Sequence, residues 1–271
     1  MKLGQSSFVY FNYPLRYAIE SMGKMGYNAI EIWGGRPHYY HDDLDAELPE
    51  LRRLLDKYGM TVPNFIPAQF RYPSLLCSLN EKVRKNSVLH ITKTIDTALK
   101  FNAGSISLCP GTAMYGEDLT KAWNALKQSI TEVLDYCSNK PIKVLIEPAH
   151  RWETNLIYTV ADCVRMIQEI KSSQLGICFD TGHANVNKED MYDAVMMASE
   201  YPMHIHIDDN TGEMDSHNIP GQGNVDFGKL KKALTDAKYN GCLSAELGFH
   251  YTLDPDSAVR ESLKFLQKEF L

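Results

Sequence analysis

The run KVLIEPAHRWETNLIYTVADCVRMIQEIKSSQLGICFD, residues 143–180, reads as strand, loop, helix, strand. KVLIE and LGICFD are short apolar runs of strand length, whereas residues 160–170 repeat their apolar side chains at helical spacing. Two apolar strands joined by a helix make a parallel crossover, which needs a connection of about this length. Both strands end on a carboxylate, Glu147 and Asp180. An ionised carboxylate is costly to remove from water, so something at these strand ends must compensate it.

The alternation continues outward on both sides. Further strands are read in KLGQSSF from Lys2, AIEIW from Ala29, TVPNFIPA from Thr61, SISLC from Ser105, MHIHID from Met203 and LSAEL from Leu243. Helical patterns occupy residues 13–25 and 44–58, stopped by Gly26 and Gly59, then 81–101, 123–136, 191–199, 227–237 and 257–270. Eight strands, each followed by a helix, in 271 residues predict a TIM (β/α)8 barrel filling residues 1–271 as one domain. An open doubly wound sheet would call for a GxGxxG after its first strand, and that stretch has none. The longest irregular segment, residues 208–226, follows strand seven, on the face where barrels keep their chemistry.

The formal charge of -6, without a cluster of Lys or Arg, argues against a nucleic-acid or anionic-membrane partner. Six cysteines are scattered singly, the pattern of free thiols in a reducing compartment. The opening MKLGQSSFVYFNYPL has no signal-peptide apolar core, and no apolar run reaches membrane-spanning length. The expectation is a cytoplasmic protein.

The last four strands carry Glu147, Asp180, His206 and Glu246 at their C-terminal ends. Alternation puts His204, His206 and Asp208 on one face, sets Glu147 against Ile146 and Glu246 against Ala245. Any one such carboxylate could simply cap a loop. Three converging at a barrel mouth would repel one another unless a cation sat among them. Two Glu, one Asp and one His are an oxygen-rich donor set that favours Mn²⁺, Mg²⁺ or Co²⁺ and admits Zn²⁺. With coordination positions left for a sugar's carbonyl and hydroxyl, such an ion acidifies the neighbouring C–H and stabilises an enediolate. Glu147 and Glu246, expected on opposite sides of the mouth, are then the acid/base pair.

At these residues the chain resembles the sugar isomerase/epimerase superfamily that includes xylose-isomerase-like barrels, D-tagatose 3-epimerase and fructoselysine 3-epimerase. The resemblance runs through IEPAHRWET from Ile146, FDTGH from Phe179, HIHIDDN and AELG, with GYNAIEIWGGRPHYYHDDL from Gly26 and DSHNIPGQG from Asp215 closest to the fructoselysine enzymes. It implies Glu147, Asp180, His206 and Glu246 as metal ligands, Glu153 and His183 as substrate contacts, and C3 epimerisation of a ketose or ketose derivative by two glutamates. D-tagatose 3-epimerase places an Arg after its strand-seven His, but IDDNTGEMDSH has none, so His217 is the candidate substitute.

Aldose–ketose isomerisation and dehydration of inososes or dehydroshikimate use similar barrels, and sequence separates them poorly. Apurinic-site endonucleases share the Asp215-x-His217 pattern, yet they need histidines after strands three and four, where IPAQFRYP and SLCPGT carry none. A barrel that only binds a sugar would leave the carboxylates without purpose. Among other residues, Trp33 reads either as a stacking platform for a sugar or as core filler. Glu31 reads as a buried hydrogen-bonding group or pocket wall, and His204 as a core histidine. His38, His41 and His250 read as solvated loop residues, Arg151 and Trp152 as a substrate cover or a surface pair, and Tyr39, Tyr40 and Tyr115 as exposed aromatics at homo-oligomer contacts or a pocket rim.

Overall fold

A computed structural model describes residues 1–43, 46–69 and 74–271. Eight parallel strands, β1 (Lys2–Ser6), β2 (Ala29–Gly34), β3 (Asn64–Pro67), β4 (Ser105–Leu108), β5 (Lys143–Ile146), β6 (Leu175–Asp180), β7 (Met203–Ile207) and β8 (Cys242–Ala245), pair in chain order and close β8 on β1. The expected barrel is therefore present. Around it run α1 (Leu15–Met25), α2 (Leu48–Tyr58), α3 (Glu81–Lys100), α4 (Leu119–Cys137), α5 (Val160–Ile170), α6 (Thr181–Val186), α7 (Met191–Ala198), α8 (Phe227–Asp236) and α9 (Pro255–Phe270).

Local chemistry sets the boundaries. Gly26 and Gly59 end α1 and α2 in the left-handed conformation, as their positions predict. Asn80, Asp118, Asp190 and Asp226 accept first-turn N–H groups at the starts of α3, α4, α7 and α8, and Thr159 with Asp162 forms a reciprocal capping box on α5. Several expected strands ran past the observed ends, most of them by a residue or two, and two of these have a clear local cause. The third strand begins at Asn64 rather than Thr61, because Pro63 has no N–H to donate to the ladder; Thr61 makes only an isolated bridge to Ala29. The first strand gives way at Ser7 to a 3₁₀ turn, Ser7–Tyr10, started by the Ser6 hydroxyl. The expected helix start at Leu44 and residues 70–73 of the FIPAQFRYP loop lie outside the described residues.

Register fixes which side chains face inward. Ser6 lies level with Glu31, Cys178 with His204, Asp180 with His206, and His206 with Ser244. The alternate residues, including Ile30, Ile32, Ile205 and Ile207, are fully buried against the helices. The barrel interior is consequently rich in polar groups. All six cysteines are free thiols, five of them buried and Cys109 half-buried. Among the described residues no helix is long and apolar enough to cross a membrane.

Candidate metal centre and active site

The four strand-end residues meet. His206 Nδ1 lies 2.7 Å from Glu147 Oε1, 3.0 Å from Glu246 Oε2 and 3.8 Å from Asp180 Oδ2. One donor atom from each of the four lies within 4.8 Å of the others. β5 and β8 stand three places apart in the ring of eight, and Glu147 and Glu246 both approach His206 Nδ1. His206 and Asp180 are buried, and Glu246 is the most open of the four.

This cluster fits a divalent cation. Asp180 Oδ1 accepts the His183 N–H at 2.7 Å as the N-cap of α6, but Asp180 Oδ2 is buried without a hydrogen-bond partner. A buried carboxylate oxygen left in that state costs free energy that a cation would recover. Burial favours a neutral His206 ring, yet the acidic groups packed around it, Glu31, Glu246 and Glu147 among them, outweigh this and raise its pKa well above the ordinary value. The site thus calls for positive charge. Cys178 Sγ also touches the His206 ring, at 3.5 Å from Nε2, but burial pushes its thiol pKa well up and keeps it out of a thiolate ligand set.

Beside the cluster lies a second one that the sequence reading only partly named. Asp215 Oδ2 is 2.8 Å from His217 Nε2, 3.2 Å from His183 Nε2 and 3.3 Å from His150 Nε2. Glu153 Oε2 stands 3.8 Å from His183 Nε2 and 3.9 Å from His150 Nε2. The Nδ1 atom of His183 is 2.9 Å from the Pro148 carbonyl, and that of His217 is 3.1 Å from Asp208 Oδ2. Burial opposes ionisation of Asp215, but His217 and His183 more than compensate and hold its pKa well below the usual carboxylate range. Asp208 goes the other way: burial, aided by Asp180, pushes its pKa up to about 7.

The long β7–α8 connection is what carries Asp215 and His217 over the mouth. Asp209 pins it by accepting N–H groups from Asn210, Gly221, Gly223 and Val225, and by pairing its own backbone with Asn218. His217 takes a left-handed φ of 44°, uncommon for a residue with a side chain, and the Gly248 N–H bonds its carbonyl at 2.9 Å. Backbone strain of this kind is characteristic of functional sites.

Glu153, His183 and His217 are thus brought together next to the four candidate ligands. Trp33 is partly exposed at the end of β2, edge-on to Phe8 and Phe11 in the β1–α1 connection. His150 and Asp215 were missed as site residues because they lie on irregular loops where no periodicity fixes a direction. The usable signal was the pair of quoted segments IEPAHRWET and DSHNIPGQG.

Several expectations are corrected. His38 is buried, with Nδ1 2.6 Å from the Tyr13 carbonyl and Nε2 3.0 Å from the Ser7 hydroxyl, because the loop after β2 folds back onto the 3₁₀ turn. The His41 side chain is covered too, 3.1 Å from His90. Tyr39 is not exposed; it packs edge-on to Phe65 and Phe101. Tyr40 is half-buried under the Arg36 guanidinium, and Tyr115 and His250 are exposed as expected. Arg151 lies over the exposed Trp152 ring at 4.5 Å.

A family described as the xylose isomerase-like TIM barrel matches residues 19–269. The chain belongs to the xylose isomerase-like TIM barrel family. Within this family it is 28% identical to a fructoselysine 3-epimerase of Shigella flexneri over 265 residues, covering 97% of this chain and 96% of that one. A D-psicose 3-epimerase of Ruminiclostridium cellulolyticum is 26% identical over 243 residues, 85% of this chain and 77% of the other. In three dimensions, the barrel superposes on a D-psicose 3-epimerase crystallised in the presence of D-fructose with a TM-score of 0.85, 20% identity and coverage of 100% and 99%. A 3-keto-D-glucoside 4-epimerase from E. coli gives 0.83 at 20% identity, covering 99% of each chain.

Proposed function

We propose that this xylose isomerase-like barrel is a sugar epimerase that inverts C3 of a ketose or an amine-linked ketose with the help of one divalent ion. The observation that carries the reading is the meeting of Glu147, Asp180, His206 and Glu246 around a buried, unpartnered carboxylate oxygen. These four residues hold the ion, and Mn²⁺ suits three oxygen donors and one imidazole. When bound, the ion supplies Lewis acidity to the sugar's carbonyl and neighbouring hydroxyl, making the C3 proton easier to remove.

The chain's own residues do the rest. Glu147 takes the C3 proton from one face while Glu246 gives a proton to the other, and the reverse epimerisation exchanges their roles. Proton transfer by positioned carboxyls of this kind contributes about 10² to 10⁴ in rate. Glu153 and His183 hold substrate hydroxyls, His217 takes the orienting place that an Arg fills in D-tagatose 3-epimerase, and Trp33 offers an apolar wall. Both the relatives named as epimerases and the polar pocket lining support a small carbohydrate substrate.

The test is a panel of ketoses and fructosamines incubated in D₂O with Mn²⁺-loaded protein and read by NMR. Deuterium at C3 together with the second epimer is the expected outcome. Loss of water from the sugar without C3 exchange would make the protein a dehydratase and overturn the reading.

A further inference from the structure

Glu31 is an acidic side chain of the barrel interior that contacts the candidate ligand His206 from the side away from Glu147 and Glu246. Sitting on β2, it is completely buried. Its Oε1 lies 2.9 Å from His206 Nε2 and 3.3 Å from His204 Nε2, and it also accepts from Asn64 Nδ2. Ser244 donates to Oε2 at 2.8 Å. Asn64 cannot turn its amide round. Ser105 donates to its Oδ1 at 2.6 Å, and a flipped amide would press its oxygen against the Glu31 carboxylate.

The lone pairs of Glu31 are engaged by Asn64, Ser244 and His206, and the His204 ring stands beside them without a hydrogen bond of its own at Nε2. That leaves Glu31 badly placed to serve as a ligand itself, although it groups with His204 and His206. It also decides the state of the His206 ring. Both ring nitrogens face carboxylates, Nε2 at 2.9 Å from Glu31 and Nδ1 at 2.7 Å from Glu147, so a cation entering among Glu147, Glu246 and Asp180 displaces the Nδ1 proton while the proton held by Glu31 stays on Nε2. Nδ1 is the atom aimed at Glu147, Glu246 and Asp180.

We infer that Glu31 is a positioning residue of the metal centre: it holds His206 as the Nε2–H tautomer so that Nδ1 is presented to the ion. The inference rests on the proposed metal-centre reading. A carboxylate behind a ligating histidine fixes ring orientation and raises ligand basicity, and losing such a partner typically weakens metal binding by about 10–100-fold. Glu31→Gln keeps the shape and an acceptor oxygen for the ring proton but removes the negative charge.

The experiment measures Zn²⁺ affinity of wild type and Glu31→Gln by competition with a chromophoric chelator, alongside thermal unfolding of both metal-free proteins. The expected result is a roughly 10–100-fold loss of Zn²⁺ affinity. Equal affinities, with only thermal stability changed, would reduce Glu31 to a structural role and overturn the inference alone. Failure of the wild type to bind Zn²⁺ would remove the metal centre and the inference with it. Should the variant not fold, ¹⁵N NMR of the histidine rings in the Zn²⁺-loaded wild type decides. A His206 proton retained on Nε2 supports the proposal, and a proton on Nδ1 refutes it.

Discussion

Asp215 holds a single carboxylate oxygen within hydrogen-bonding reach of three imidazoles, and this makes it the most exacting side chain of the pocket outside the metal centre. Replacing it by Asn keeps the shape and removes a charge that, with Asp180 at His183 and Asp208 at His217, raises the pKa of both rings. Hydrogen bonds to charged groups contribute about 1.5–3 kcal/mol, so Asp215→Asn should lower kcat/KM by roughly 10- to 150-fold, read in steady-state kinetics with saturating Mn²⁺. Glu147→Gln and Glu246→Gln should each cost about 10² or more in kcat, measured together with bound manganese so that lost chemistry is told apart from lost metal. The four candidate ligands were legible because each stands at or near a strand end, where a period of two fixes direction. His150 and Asp215 were not. Their directions depend on loop hydrogen bonds, such as those gathered by Asp209, that no local pattern encodes.

Among the α-helices of the described residues, α6 was the one missed. Thr181–Val186 begins directly where β6 ends, with Asp180 acting as strand terminus, helix N-cap and candidate ligand together, so no turn residue separates strand from helix. Its first turn packs tightly on the β7–α8 connection. The Gly182 N–H donates to Asp208 Oδ1 at 2.7 Å, and a methyl group at Gly182 would overlap the Asp208 carboxylate. Gly182→Ala should therefore destabilise the protein by about 1–3 kcal/mol, as overpacking does, and urea unfolding would show it. Because Asp208 contacts His217, turnover should fall as well. An unchanged unfolding midpoint would mean that the close approach is easily relaxed.

For the molecule as a whole, buried histidines make stability depend on pH. Burial pushes His38 down to about 4, below its unfolded value near 6.5, so the native state keeps it neutral while the unfolded chain protonates it. Its contribution is complete above about pH 6.5 and is lost as pH falls toward 4. Between about pH 6 and 5 the stability advantage of wild type over His38→Asn should shrink by up to roughly 1.4 kcal/mol per pH unit in urea titrations. A gap independent of pH would show that His38 is charged in the fold. Mn²⁺ at a hundredfold excess over its Kd should add about 2.7 kcal/mol to stability, and EDTA should return the melting midpoint to the metal-free value. The sequence by itself determined the eight-fold strand–helix alternation and the four acidic and imidazole strand ends, since both follow from local periodicity. Tertiary structure alone decided that Glu31 backs His206, that β5 and β8 flank it from nearby staves, and that a loop tied to Asp209 swings Asp215 onto three histidines. Apart from the Asp215–His217 pair, those contacts join residues dozens to 175 positions apart, and only closure of the barrel brings them within reach of one another.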